Sequence, residues 1–241
     1  MERSSTTSRT SAVRNRTRRG GVARALVPTL ALVLAGCASQ SGAMGDWGQI
    51  FSMAGAGFGH SPSVTLEQAA SEPYASLGVR IGDGSQMMIV LATDAGGDLL
   101  WTSKAKIAIT TRNGRIVRTA GLPHNLDWIT FNGRDDPLLE AAQGSPPRQS
   151  VRFVDYGDLD RFSVPLSCET VSRGADTVMV LGKSIAVKRI EESCQSEALD
   201  WKFTDIFWLG SSGLAWKSVQ HIHPGLDPIE IDVLRPPSGT P

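Results

Sequence analysis

The stretch Ile109-Thr110-Thr111-Arg112-Asn113-Gly114-Arg115-Ile116-Val117, residues 109–117, decides the fold class of this chain. Asn113-Gly114 stands between two runs rich in β-branched residues. Both central positions of a tight hairpin turn need positive φ, which Asn and Gly adopt at little cost, so this pair predicts a β-hairpin. The run before it, Lys104–Thr111, alternates polar and apolar residues, as a half-buried strand does.

Short runs similar to those beside Asn113-Gly114, separated by Gly- and Asn-rich turns, fill the chain from residue 74 to residue 234. Only two helices are predicted. The first begins at a capping box formed by Thr65 and Gln68 and ends before Pro73, and the second follows Asp135-Asp136-Pro137. Besides the two arms of the hairpin, strands are predicted at 74–81, 86–92, 151–156, 162–171, 177–181, 184–191, 199–209, 214–222 and 229–234. About ten short strands predict an all-β fold, an antiparallel sandwich or barrel.

Residues 1–36 have the layout of a bacterial secretory signal. Seven Arg precede a charge-free run from Ala25 to Gly36, and small residues lead directly to Cys37. This predicts cleavage between Gly36 and Cys37 and acylation of Cys37, palmitate included. The 12-residue run is too short to cross about 30 Å of hydrocarbon at about 1.5 Å per residue. Arg18-Arg19 leave a twin-arginine signal open as an alternative export route.

The rest of the chain divides into a linker, one domain and a tail. Residues 37–62 are rich in Gly, Ala and Ser, which is typical of a flexible linker between a lipid anchor and a folded domain. Residues 63–235 carry the strand pattern and are long enough for a single domain with a sizeable core. Residues 236–241 hold three Pro, and we expect a disordered tail there.

The charge balance changes once the signal is set aside. Of 24 basic and 24 acidic residues, residues 1–36 hold seven Arg and one Glu, so 17 basic and 23 acidic residues remain, a net charge of −6. Nucleic-acid binding depends on clustered Lys and Arg, so an acidic chain argues against such a partner. The lipid on Cys37 is therefore the predicted attachment to the membrane.

Two further cysteines, Cys168 and Cys194, belong to the predicted domain. In an oxidising envelope compartment they are candidates for a disulfide. Two buried free thiols are the alternative, because the sequence does not show whether the two Cα atoms come within reach.

Several short phrases give the chain a family resemblance. They are Trp101-Thr102-Ser103, Asn113–Leu122, Glu192-Ser193-Cys194, Phe207-Trp208, Gly213–Gln220 and Pro224. In this order they resemble the GfcB/YjbF lipoproteins, the lipoproteins of group 4 capsule and exopolysaccharide operons, over about residues 65–235. The resemblance implies an all-β lipoprotein, anchored in the outer membrane and facing the periplasm, that acts in polysaccharide export or assembly. Ala38 after Cys37 is similar to outer-membrane-sorted lipoproteins. The resemblance brings no catalytic residue and no cofactor.

Aromatic and arginine side chains are the candidates for contact with glycan or a partner. A flat ring stacks on the apolar face of a sugar, which makes Trp101, Trp201, Trp208, Trp216 and Tyr156 candidates. Each of them can instead belong to a β-domain core. Arg112, Arg115 and Arg118 flank the Asn-Gly turn and can capture carboxylates of an acidic polymer. A solvated hairpin tip is the alternative.

A metal site and a hydrolase site are also considered. His221-Ile222-His223 places two imidazoles on one strand face, and with His124 or Asp127 they can hold zinc. A strand end running into Pro224 is the favoured interpretation, and we predict no metal. Asp135-Asp136 and Asp158-Leu159-Asp160 are the possible paired carboxylates of a glycoside hydrolase. Asp is also expected beside turns, and we predict no catalytic residue.

Three functions follow from these observations. The first is a non-enzymatic lipoprotein, anchored through Cys37, that supports capsule or exopolysaccharide export by binding glycan or an outer-membrane export protein. The second is a periplasmic enzyme that modifies the polymer. The third is a purely structural envelope lipoprotein.

Overall fold

A computed structural model describes residues 63–132 and 136–238 of the chain. The helices are α1 (Leu66–Ser71) and α2 (Leu138–Ala142). The strands are β1 (Ser76–Ile81), β2 (Met87–Ala95), β3 (Asp98–Thr102), β4 (Ala108–Arg112), β5 (Arg115–Ala120), β6 (Trp128–Phe131), β7 (Arg148–Tyr156), β8 (Arg161–Val180), β9 (Lys183–Ser196), β10 (Trp201–Leu209), β11 (Ala215–Gln220) and β12 (Ile229–Arg235).

All twelve strands of the described residues belong to one antiparallel sheet. Its order is β5-β4-β3-β2-β1-β12-β11-β10-β9-β8-β7-β6. The strands therefore follow one another in sequence except where β1 pairs with β12. Because β5 and β6 are consecutive in the chain yet form the two edges, the sheet curls into a nearly closed barrel. The predicted all-β class is confirmed.

The Asn-Gly turn forms as predicted. Asn113 and Gly114 have φ of 51° and 82°, the left-handed values that such a turn requires. Gly114 is also needed for space, because a Cβ there would lie 2.4 Å from the Cβ of Ala215 on β11. The hairpin of β4 and β5 is thus pressed against the opposite wall of the barrel.

Two strands were not predicted, β3 and β6. The sequence pattern placed a strand over 104–111, but Lys106 has a φ of 63° and lies in a turn closed by hydrogen bonds between Ser103 and Ile107. The strand before that turn is β3. β6 is only four residues long, and so short a run carries little periodicity.

The β8–β9 hairpin is longer than the sequence indicated. Strands predicted at 162–171 and 177–181 are one strand of 20 residues, with a register shift between Ser172 and Gly174 in place of a break. The end of this hairpin, residues 174–188, is called the arm below. Its Val178, Val180 and Val187 are buried, and they pack with Trp208 and Trp216.

The interior of the barrel holds one large apolar cluster, and α2 packs over a second, smaller one. The large cluster includes the buried side chains of Leu77, Ile89, Trp101 and Ile109. Leu138 and Ala141 of α2 lie against the smaller cluster, which includes Ile190, Phe207, Leu209 and Ala215. Burial of this apolar surface is the main force that holds the sheet in its curled form.

The predicted disulfide forms between the two strands of the β8–β9 hairpin. Cys168 on β8 and Cys194 on β9 are directly opposite in the register, and their Cα atoms are 4.1 Å apart. Both side chains face the apolar interior. The bridge therefore joins the hairpin at the barrel and not in the arm.

Candidate functional site

A cluster of charged side chains lies inside the barrel, and we call Arg115, Asp136, Arg152, Glu192 and Asp205 the buried charge cluster. Arg115 is 1% exposed and Glu192 is fully buried. The Arg115 guanidinium donates to both Glu192 oxygens at 2.8 and 3.1 Å, and to both Asp136 oxygens at 2.6 and 3.0 Å. Arg115 thus links β5 and the start of α2 to β9.

A second arginine completes the cluster. Arg152 of β7 donates to Glu192, and its other terminal nitrogen lies 3.2 Å from Asp205 Oδ2. Asp205 in turn accepts the backbone N–H of His221 at 2.7 Å. Thr170 on β8 donates its hydroxyl to Glu192 at 3.2 Å. Glu192 therefore accepts from two guanidinium groups and a hydroxyl at once.

The charges of this cluster stabilise one another in spite of burial. Burial alone would raise the pKa of Glu192, but Arg115 and Arg152 outweigh it and lower the pKa to about 2. Burial likewise opposes the charged form of Arg115, and Asp136 and Glu192 outweigh it, so the pKa of Arg115 is raised. Both groups remain ionised at neutral pH.

The buried charge cluster corrects one prediction. Arg115 was expected at the hairpin tip as a glycan contact, but its side chain points into the barrel and both of its neighbouring carboxylates are buried. Strand alternation alone gave no sign of this, because a charged residue is normally assigned to the solvent face. The signal that could have indicated it was Glu192, an acidic residue at an inward position of β9 between Ile190 and Cys194.

A second polar cluster joins three chain segments at one end of the barrel, and we call it the histidine site. It consists of His124 from the β5–β6 connection, Asp158 from the turn after β7, and His223 from the β11–β12 connection. The Nδ1 atom of His124 lies 2.8 Å from Asp158 Oδ2, and the Nε2 atom of His223 lies 3.3 Å from Asp158 Oδ1. The two imidazole rings stack with their centroids 4.6 Å apart.

The surroundings of the histidine site fix both rings. Gly225 donates its backbone N–H to His223 Nδ1 at 2.9 Å, and Tyr156 packs its ring edge-on against His223. Asp127 accepts the backbone N–H of Gly157 at 2.6 Å and so holds the turn that carries Asp158. These contacts leave His223 buried and His124 partly exposed.

The protonation of the histidine site follows from this geometry. Burial lowers the pKa of His223, and the nearby Asp158 only partly offsets this, so its imidazole is neutral at neutral pH. Partial burial would raise the pKa of Asp158, but the His124 hydrogen bond and the nearby His223 outweigh it and lower the pKa. The site therefore presents an ionised carboxylate beside a neutral imidazole.

His221 and His223, considered above as two imidazoles on one strand face, do not pair. The imidazole of His221 lies beside Asp205, with its Nδ1 atom 3.2 Å from Asp205 Oδ1, and it does not join the histidine site. The chain leaves β11 after Gln220, so the two-residue strand period does not continue to residue 223. His124 does reach His223, as the sequence allowed.

A groove of about 490 Å³ lies between the arm, α1 and the end of β12, and we call it the arm groove. Its apolar lining includes Leu66, Val180, Ile185 and Trp216. Two basic residues, Lys183 and Arg235, also line it, and within the described part of the chain no acidic residue does. The arm groove thus combines a half-buried aromatic ring with positive charge.

The other aromatic candidates differ in exposure. Trp101 is 2% exposed, and its Nε1–H donates to Thr111 Oγ1 at 2.9 Å, so it is a core residue and the expectation of a glycan contact there is wrong. Tyr156 is also buried. Trp208 is half-buried and donates to Asp176 Oδ2 at 2.8 Å on the arm. Trp201 is half-buried and packs on the core. Trp216 is the aromatic candidate that lines the groove.

The remaining arginines of the hairpin face solvent. Arg118 is exposed on β5. Arg112 is exposed too, but it is held by both oxygens of Asp98 at 2.6 and 2.7 Å. Arg118 therefore stays a candidate for contact with an acidic ligand.

Two of the carboxylates considered for hydrolysis, Asp136 and Asp158, are engaged by other groups of the described residues. Asp136 is engaged by Arg115 and also accepts the backbone N–H of Leu138 at the start of α2. Asp158 belongs to the histidine site. Asp135 lies outside the described residues, as do the predicted cleavage site at Gly36 and the predicted lipid attachment at Cys37. Within the residues that are described, no helix has the length and apolar character needed to cross a membrane.

Comparison with solved structures gives the same fold. A crystal structure of the hypothetical lipoprotein YmcC from Escherichia coli superposes with a TM-score of 0.64 at 25% identity. The match covers 72% of this chain and 89% of YmcC. The barrel-like sheet is therefore shared with a lipoprotein.

Sequence comparison identifies the family. Two Escherichia coli proteins are similar over most of their lengths. The uncharacterized lipoprotein GfcB is 25% identical over 88% of this chain and 97% of its own. The uncharacterized lipoprotein YjbF is 24% identical over 86% and 94%. A family model described as group 4 capsule polysaccharide lipoprotein GfcB, YjbF matches residues 29–234. The expected resemblance is confirmed, and this chain belongs to the GfcB/YjbF family of group 4 capsule polysaccharide lipoproteins.

Proposed function

We propose that this protein is a membrane-anchored, non-enzymatic lipoprotein that supports capsule or exopolysaccharide export or assembly, and that its arm groove holds the polymer. Family membership supports the polysaccharide role. The proposed anchor is the lipid on Cys37, and the expected location is the periplasmic face of the outer membrane.

The observation that carries the binding proposal is the composition of the arm groove. Trp216 offers a ring for stacking on a sugar, while Lys183 and Arg235 offer positive charge for the carboxylates of an acidic polymer. Both basic side chains are exposed, so binding them to a polymer costs little desolvation. Arg118, on the hairpin, is a further exposed cation that a long polymer can reach.

The experiment is a clean deletion strain complemented with defined variants, scored by the amount and chain length of secreted polysaccharide. Wild type restores export, and Cys37→Ser does not, because the domain is then no longer held at the membrane. The double variant Lys183→Glu/Arg235→Glu reverses the groove charge and lowers export. The matched control Lys202→Glu/Arg161→Glu makes the same change in net charge at exposed positions outside the groove and leaves export intact.

A binding measurement separates the polymer from other ligands of the groove. The purified protein is titrated with purified polymer at low and high salt. Wild type and the control bind in a salt-dependent manner, and the groove variant binds weakly. If the groove variant abolishes export while polymer affinity is unchanged, the groove binds a partner export protein. Normal export with altered chain length points to the enzymatic alternative, and no phenotype removes the export role.

A further inference from the structure

We infer that the histidine site binds a divalent transition-metal ion of the zinc class, with His124, Asp158 and His223 as its three protein ligands. This inference does not depend on the proposed function. It rests on the spacing of the donor atoms, on an unpartnered buried nitrogen and on the access of the site to solvent.

The spacing of the donor atoms suits a single small ion. One ligand atom from each residue lies within 4.8 Å of the other two. The contacts of Asp158 with His124 and His223 measure 2.8 and 3.3 Å. Donor atoms around tetrahedral zinc, about 2.0–2.2 Å from the metal, are about 3.3 Å apart. The remaining separation, between the donor atoms of the two imidazoles, is at most 4.8 Å, and it has to narrow for both rings to bind one ion.

His223 supplies an independent observation. Its side chain is 1% exposed, and its Nε2 atom has no hydrogen-bond partner, because Asp158 Oδ1 at 3.3 Å is not aligned for one. A buried polar atom without a partner is destabilising, and a bound ion would satisfy it.

Access and donor type point to zinc or a similar ion. The side chains of His124 and Asp158 are 36% and 35% exposed, so a hydrated ion can enter from solvent. Two imidazole nitrogens and one carboxylate oxygen are ligands that zinc accepts, and three protein ligands leave a fourth position for water. Hard ions such as Mg²⁺ and Ca²⁺ prefer oxygen ligands alone.

Gly225 provides a specific signature of binding. The Gly225 N–H donates to His223 Nδ1, which places the proton of a neutral ring on Nε2. Coordination through Nε2 moves that proton to Nδ1, and the Gly225 N–H must then turn away. The amide resonance of Gly225 is therefore expected to shift when the metal binds.

The test is a zinc titration of the full-length protein, purified in detergent and stripped with chelator. Wild type takes up one zinc ion at a saturable site. His124→Ala and Asp158→Asn weaken the affinity by more than the about 10- to 100-fold that loss of an outer-shell partner costs. Both residues are partly exposed, so these variants fold, whereas a change at buried His223 would confound binding with stability.

Matched controls come from the same segments of the chain. His221→Ala removes an imidazole that lies outside the site, and Asp160→Asn repeats the Asp-to-Asn change two residues away, at a φ of 52° that Asn tolerates. Both controls bind zinc like wild type. The inference is overturned by the absence of a saturable site, by wild-type affinity in His124→Ala and Asp158→Asn, or by a Gly225 amide that does not move while zinc binds.

Discussion

Replacing Glu192 by Gln tests whether the buried charge cluster holds the barrel together. The change keeps the size of the side chain and removes the charge shared by Arg115 and Arg152. Truncating one partner of a buried ion pair costs about 3–5 kcal/mol. Asp136 and Asp205 still hold one guanidinium each in the variant, so the lower end of this range applies.

The pKa of Glu192 gives the same magnitude independently. Its pKa falls from 4.5 to about 2 on folding, and one pKa unit corresponds to about 1.4 kcal/mol, so ionisation contributes about 3 kcal/mol. Because the folded pKa is the lower one, this stabilisation is complete above pH 4.5. It is lost progressively as the pH falls from about 4.5 to about 2.

The assay is thermal and urea unfolding of wild type and Glu192→Gln across this pH range, with Glu169→Gln as the control. Glu169 is exposed on the outer face of β8, so its variant should stay within about 0.5 kcal/mol of wild type. At pH 7 Glu192→Gln should lose about 3 kcal/mol of unfolding free energy, or about 6–12 °C in Tm. Below pH 4.5 the difference should shrink.

Two results would refute this reasoning. One is a Glu192→Gln protein as stable at pH 7 as Glu169→Gln. The other is a constant difference between wild type and Glu192→Gln from pH 7 down to pH 2, which would show that the ionisation of Glu192 carries no stability.

Two further predictions concern the disulfide and the Asn-Gly turn. Replacing Cys168 and Cys194 together by Ala should lower the unfolding free energy by about 3 kcal/mol in the chain-entropy model, since the bridge closes a loop of 26 residues. The prediction is contradicted if the double variant melts at the wild-type temperature, or if reductant leaves the melting temperature of wild type unchanged. Gly114→Ala should destabilise more than Gly97→Ala. Both positions have positive φ, where an L-residue costs about 1–2 kcal/mol. Only at Gly114 does the new Cβ also meet another atom, the Cβ of Ala215. Equal losses of unfolding free energy in chemical denaturation would exclude the steric contribution.

The fold class could be predicted because it depends on local signals. The Asn113-Gly114 turn, the capping box at Thr65 and the alternation of the longer strands each act over a few residues. β3 and β6 escaped prediction for the opposite reason. Both are short, and their strand geometry is set by the neighbours with which they pair, so their own sequences carry little periodicity.

The sites were predicted less well because they depend on which distant residues meet. The inward direction of Arg115 is explained by Glu192, which is 77 residues away in sequence. The histidine site likewise needs Asp158, which the sequence presented as a turn residue or a hydrolase carboxylate and not as a partner of the histidines. His124 and His223 are both candidate ligands in the sequence. The two-residue period of a strand suggested His221 as the partner of His223, but β11 ends at Gln220 and the period does not apply beyond it.

The pairing of β1 with β12 has a consequence for how the chain reaches its native state. Every other strand pairs with a sequence neighbour, so two meanders, β1–β5 and β6–β12, can form from local contacts as the polypeptide emerges. Joining them requires the last strand of the chain to find the first, which is the slowest kind of contact to make. Until β12 arrives, the open edge of β1 is a template for pairing with other chains, so a protein truncated before Ile229 should aggregate.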